Sequence, residues 1–165
     1  MRAVLSPAAY AAPAETEPRH LRQTVFPILR RNADMTREEL LTYCSEQYGT
    51  EPEYPWADTP LAAVLRHSEC PKWYGLIMDI PADKLGHASH EHIDVLNLKG
   101  NPDDIVHLRE MPGFAPAYHM NKKHWLTVIL PEIDDPEVVF RLLDKSYLLT
   151  GKLPKRKEDP HGSKK

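Results

Sequence analysis

The sequence predicts an α+β fold, a two-layer sandwich with helices packed on a mainly antiparallel sheet. Three observations carry that prediction. Two strand-like runs, Leu61–Arg66 and Trp73–Ile80, are separated only by the polar turn 68–72, a β-hairpin pattern. Helix starts with their own capping residues stand at Thr36, Asn101 and Asp135, away from the strand runs. The resulting order is helix, hairpin, strand, short helix, strand, helix, joined by hairpins and short loops.

The first helix is expected over 36–48. Thr36 and Glu39 form a capping box, and Met35 and Leu40 occupy the two positions of a hydrophobic staple around it. Leu40, Leu41, Cys44 and Tyr48 follow at helical spacing, and Gly49 is the stop. Three prolines make 51–60 an irregular connection. In the second strand Tyr74, Leu76, Met78 and Ile80 alternate onto one face. Residues 81–91 read as a polar loop containing Gly86, and Ile93–Lys99 as the third strand.

Asn101, Pro102, Asp103 and Asp104 open a short helix over about 103–110, with a cap, a first-turn proline and two acids on the positive end of the dipole. Phe114–His119 has little periodicity and leads into a turn at 121–123. Trp125–Leu130 is the last strand. Asp135, Pro136 and Glu137 start the final helix. Its apolar stripe is Val138/Val139, Leu142/Leu143 and Ser146/Tyr147, closed by Gly151.

The chain of 165 residues is long enough for one domain with its own core, not two full ones. Its hydrophobic fraction of 41% and charged fraction of 27% are globular, and no apolar run approaches the length of a membrane span. The net charge of -3 divides unevenly: +2 over residues 1–34, -8 over 35–152 and +3 over 153–165. A whole-chain basic nucleic-acid binder is therefore excluded; only a local patch would serve. Residues 1–34 are expected to be a poorly ordered extension in which Pro27 would end any short helix, and 153–165 a basic, disordered tail. Met35, directly at the first helix, also marks a candidate start of the native protein. Of sixteen prolines, six lie in these ends and ten punctuate the body. No signal peptide, lipid anchor or transit peptide is read, and two cysteines cannot build a disulfide framework or a four-cysteine zinc site, so a cytoplasmic location is expected. Cys44 reads as a buried hydrophobe and Cys70 as an exposed turn residue.

Phosphate loops, nucleophile elbows, His-Glu-x-x-His and Cys-x-x-Cys motifs are all missing, and no catalytic residue or cofactor is assigned. His87, His90 and His92, with Glu91, are metal-ligand types, but their spacing fits no standard zinc pattern; a solvated loop is the better reading, and no metal site is assigned. The denser cluster is Tyr118 to Trp125. There His119, Asn121, Lys122, Lys123, His124 and Trp125 combine bases with aromatics, a combination that grips phosphates and stacks bases. A structural account competes: Trp125 in the core, Asn121 capping a turn, and the lysines as a solvated tip. Asp103, Asp104, Asp134 and Asp135 are explained by capping.

Several blocks, in order, carry a family resemblance: Met35-Thr36-Arg37-Glu38-Glu39-Leu40-Leu41-Thr42-Tyr43-Cys44, Lys72-Trp73-Tyr74-Gly75-Leu76-Ile77-Met78, and Val95-Leu96-Asn97-Leu98-Lys99. They continue with Gly113-Phe114-Ala115-Pro116-Ala117-Tyr118-His119-Met120-Asn121-Lys122-Lys123-His124-Trp125 and Leu142-Leu143-Asp144-Lys145-Ser146-Tyr147. Over 35–152 the chain resembles the MmcQ/YjbR family of small bacterial proteins. The resemblance implies a frataxin/CyaY-like sandwich, described as a double wing, and a DNA-binding role; some members are linked by name to mitomycin resistance. It brings no catalytic mechanism. By position, His119, Asn121, Lys122, His124 and Trp125 match its signature. The extension before Met35 and the histidine-rich loop 87–92 depart from it.

The leading functional expectation is a non-enzymatic DNA-binding module, weak and salt-dependent, drawing on Arg66, Lys72, Lys122, Lys123 and the basic tail. The alternative is a small-ligand or drug-binding protein, with a planar ligand held by Trp56, Trp73, Tyr74, Tyr118 or Trp125. A frataxin-like iron role ranks last. A membrane partner is not expected, and the sequence leaves the oligomeric state open.

Overall fold

A computed structural model describes residues 34–151. The expected extension before Asp34 and the basic tail 153–165 lie outside the described residues. Three helices, α1 (Arg37–Tyr48), α2 (Pro102–Leu108) and α3 (Pro136–Thr150), accompany five strands: β1 (Ala63–Arg66), β2 (Trp73–Pro81), β3 (His92–Lys99), β4 (Phe114–Pro116) and β5 (Trp125–Ile129). The strand order is β1-β2-β3-β5-β4 and every pairing is antiparallel. The fold is therefore α+β, as expected.

The ends of α1 follow from its sequence. The Thr36 side chain accepts from the Glu39 amide at 3.2 Å and the Glu39 carboxylate accepts from the Thr36 amide at 3.0 Å, closing both halves of the capping box. Met35 and Leu40 are both buried in one cluster, so the staple is in place. Gly49 ends the helix in the left-handed region, at φ 63°. At α2 the Asn101 side chain makes no capping bond, contrary to its expected role, and the helix stops at Leu108. At α3 Asp135 accepts from the Glu137 amide at 3.1 Å. Gly151 follows it with φ -77°, an ordinary value. It is closely packed: a Cβ there would stand 3.0 Å from His67 Cε1 and 3.1 Å from the Tyr147 carbonyl.

The sheet separates two apolar clusters. On one side Leu65, Ile77, Leu96, Leu98, Leu126 and Val128 pack against all three helices. On the other, Val64, Leu76, Met78, Ile80 and Val95 are covered by partly buried Trp56, Trp73, Leu85, Ile93 and Tyr118. Here the expected alternation of β2 fails at one residue. A register shift between Leu65 and Arg66 leaves Tyr74 without a partner in β1, and Tyr74 enters the helix-side cluster while Leu76, Met78 and Ile80 face away. Ser146 of α3 locks the layers: its hydroxyl donates to the Tyr74 carbonyl at 2.5 Å and accepts from the Lys99 amide at 2.9 Å.

Four segments differ from expectation. Leu61 is 52% exposed in a turn, and β1 begins at Ala63. Residues 82–85 of the polar loop form a 3-10 turn, as do Leu130–Glu132 after β5. Phe114–Pro116 is a short edge strand where no strand was expected. A proline ends it, which its position at the sheet edge accommodates.

Candidate functional site

The segment 117–124 joins β4 to β5 and holds the predicted cluster. Its anchor is a buried polar pair. Asn97 and Thr127 sit opposite one another on β3 and β5, both fully buried. The Thr127 hydroxyl donates to Asn97 Oδ1 at 2.5 Å and accepts from the Tyr118 amide at 2.9 Å, while Asn97 Nδ2 donates to the Tyr118 carbonyl at 2.8 Å. Both polar groups of the Tyr118 backbone are thus held by side chains of the sheet. Asn97, the polar residue between Leu96 and Leu98, is the sequence signal that would have revealed this anchor.

His119 follows at φ 57°, the one non-glycine left-handed residue among those described. Its ring lies 3.9 Å from that of Tyr118, centroid to centroid, and is exposed. Asn121 then builds the tip. Its Oδ1 accepts from the Lys123 amide at 2.9 Å, and its carbonyl accepts from the His124 and Trp125 amides at 3.1 and 2.9 Å. The His124 carbonyl in turn accepts from the Gly100 amide at 3.0 Å.

All six predicted residues fall on this loop and the start of β5, but their surroundings differ. His119, Asn121, Lys122 and Lys123 are exposed; His124 and Trp125 are partly buried. Asn121 shapes the turn and Trp125 pairs with Lys99 in the β3–β5 register. Among the described residues neither Lys122 nor Lys123 has an ion-pair partner.

Other sequence candidates are engaged elsewhere. Arg66 donates through Nε and Nη2 to Glu53, at 2.9 and 3.1 Å, and through Nη1 to the Pro71 carbonyl at 2.6 Å, so its fork is occupied. Tyr74 is fully buried on the helix side; Trp56, Trp73 and Tyr118 pack on the opposite face. His87, His90 and His92 each meet a different carboxylate, Glu132 at 3.2 Å, Asp83 at 3.3 Å and Asp79 at 2.7 Å. No group of three potential ligands gathers among the described residues. Cys44 is 1% exposed and burial pushes its thiol up to about 12. No helix among the described residues is long and apolar enough to cross a membrane.

Two features escaped the sequence reading. Tyr43 and Tyr48 both donate to Asp144 of α3, Tyr43 at 2.9 Å, and burial together with that carboxylate raises both phenols above the ordinary tyrosine range. A cavity of about 180 Å³ lies between α2, α3 and the sheet; leucines and Ile105 make most of its wall, and Lys99, Asn101, Asp104 and Lys145 also line it. Neither has a local sequence signature, because each assembles residues from distant segments.

With the arrangement described, comparison decides the family. The YjbR family model matches residues 45–149. The chain belongs to the YjbR family. The uncharacterised protein YyaQ of Bacillus subtilis (strain 168) is 42% identical over 116 residues, covering 70% of this chain and 98% of YyaQ. The uncharacterised protein YbdF of Escherichia coli O157:H7 is 33% identical over a shorter stretch of 58 residues, 34% of this chain and 48% of YbdF. A crystal structure of a Pseudomonas syringae protein, 43% identical, superposes with a TM-score of 0.69 over 70% of this chain and 99% of that one. A Deinococcus radiodurans protein with a DUF419 domain, 28% identical, follows with 0.53 over 70% of this chain and 78% of its own.

Proposed function

We propose that this YjbR-family chain is a non-enzymatic DNA-binding module that meets phosphate through the β4–β5 loop. One observation carries the reading. Lys122 and Lys123 stand adjacent and exposed at the tip of a loop fixed from below by Asn97 and Thr127 and from within by Asn121. Two ammonium groups held this way add favourable contacts to a polyanion with little further loss of loop entropy. His119 and His124 flank them as further donors. The acidic body works in the opposite direction. At -8 over residues 35–152 it repels a polyanion at long range, so the binding is weak and local. A cytoplasmic setting goes with this reading, since Cys44 and Cys70 are free thiols.

Fluorescence anisotropy of a labelled duplex against the full chain tests it. Binding is expected at about 50 mM salt and should weaken about tenfold by about 200 mM, as two phosphate contacts require. Absence of binding by the duplex and by its separated strands at the lower salt, or binding indifferent to salt, refutes the reading.

A second reading rests on the cavity between α2 and α3. Its mostly apolar wall suits a small apolar ligand of about the size of benzene, with Asp104 and Lys145 also lining it. None of the aromatics expected to hold a planar ligand lines it. A ligand of this kind raises the melting temperature in a thermal-shift screen where DNA does not; a screen of small aromatic compounds without any such shift removes this reading.

A further inference from the structure

We infer that the nucleic acid this module takes is single-stranded, bound across the helix-free face of the sheet by a row that alternates cations with aromatic rings. The inference rests on the nucleic-acid reading above and names its substrate class.

The row follows from the register. Arg66 on β1 pairs with Trp73 on β2, and the Arg66 guanidinium carbon lies 5.8 Å from the Trp73 ring centroid. On β3, Leu98 pairs with Gly75 of β2, which brings the Lys99 end of β3 beside Trp73. Lys99 pairs with Trp125 on β5. By strand alternation Lys99 and Trp125 share the face of Asn97 and Thr127, which is also the Tyr118 side. Arg66, its fork held by Glu53 and the Pro71 carbonyl, backs the Trp73 ring, and Trp73, Lys99 and Trp125 succeed one another across three adjacent strands. Trp56 meets Trp73 edge-on at 5.9 Å and supports its ring. At the far end the chain from Trp125 leads directly into Lys123 and Lys122.

Trp73, Lys99 and Trp125 are all partly exposed, and none of the three helices packs on this face. Two strand spacings separate Trp73 from Trp125, about 10 Å. Bases splayed from a single strand can stack on such rings, and a cation between them meets the intervening phosphate. A duplex keeps its base faces inside its own stack and offers them nothing. The charge argument points the same way. A single strand is the less densely charged polyanion, so the acidic body opposes it less.

The test titrates the full chain with an oligothymidylate of about 12 nucleotides and with a duplex of equal length, at low salt. Affinity is read by anisotropy, and the site by the indole and backbone amide NMR signals of Trp73, Lys99 and Trp125. The expected result is at least about tenfold tighter binding of the single strand, the worth of one stacked base, with the largest shifts on that row. Equal or tighter binding of the duplex overturns this inference and leaves the DNA reading standing. Shifts confined to 119–124 also overturn it. If neither oligonucleotide binds, both readings fall together.

Discussion

Thr127 is the residue on which the candidate site depends most. Thr127→Val keeps the shape but leaves Asn97 Oδ1 and the Tyr118 amide unpaired in the sheet. The expected loss is about 1–3 kcal/mol, the cost of orphaned buried polar groups. Urea unfolding should show a lower midpoint at unchanged slope; an unchanged midpoint would mean the anchor contributes nothing. His67 gives a pH dependence. It is buried, and its Nε2 contacts Thr150 Oγ1 at 2.7 Å. That hydroxyl donates to the Ser146 carbonyl, so Nε2 carries the proton that His67 donates. Burial first, and then nearby Lys72, hold its pKa below 6.5. A depressed folded-state pKa means that the unfolded chain binds the extra proton first on acidification. This contribution is therefore complete above pH 6.5 and is lost as pH falls through the folded value. Thermal midpoints measured from about pH 7 to pH 5 should decline, and His67→Gln should flatten that part of the decline.

At the scale of elements, the helix starts at Thr36 and Asp135 were legible because their capping bonds are made within three residues of sequence. Thr36→Ala should cost about 1 kcal/mol, measured by denaturant unfolding, and Thr36→Asp should recover most of it. Strand β2 was legible in extent but not in facing. The unpaired Tyr74 that turns its alternation depends on β1, and no window of β2 alone contains that information. Edge strand β4 was missed for a related reason: three residues are too few to show a period. Gly151 caps α3 as read, and the close approach of His67, which no window around it contains, adds a second role. Gly151→Ala should destabilise by about 1–3 kcal/mol even though its φ of -77° suits alanine. The candidate loop was legible as a cluster of residue types. Its anchor was not, because Asn97 and Thr127 are thirty positions apart.

Among the described residues an acidic body carries an exposed dibasic tip at Lys122 and Lys123. Charge alone decides what that arrangement allows. On the proposed DNA reading, long-range repulsion slows the encounter at low salt, while two local lysines give a shallow salt dependence, since few counterions are released. The most direct measurement of the central claim is the slope of log affinity against log salt for the full chain and for its Lys122→Ala/Lys123→Ala variant. The account predicts that the slope shrinks by about two, one for each lysine that met a phosphate, while the unfolding midpoint stays unchanged. A variant that binds DNA with the same affinity and the same slope would contradict it.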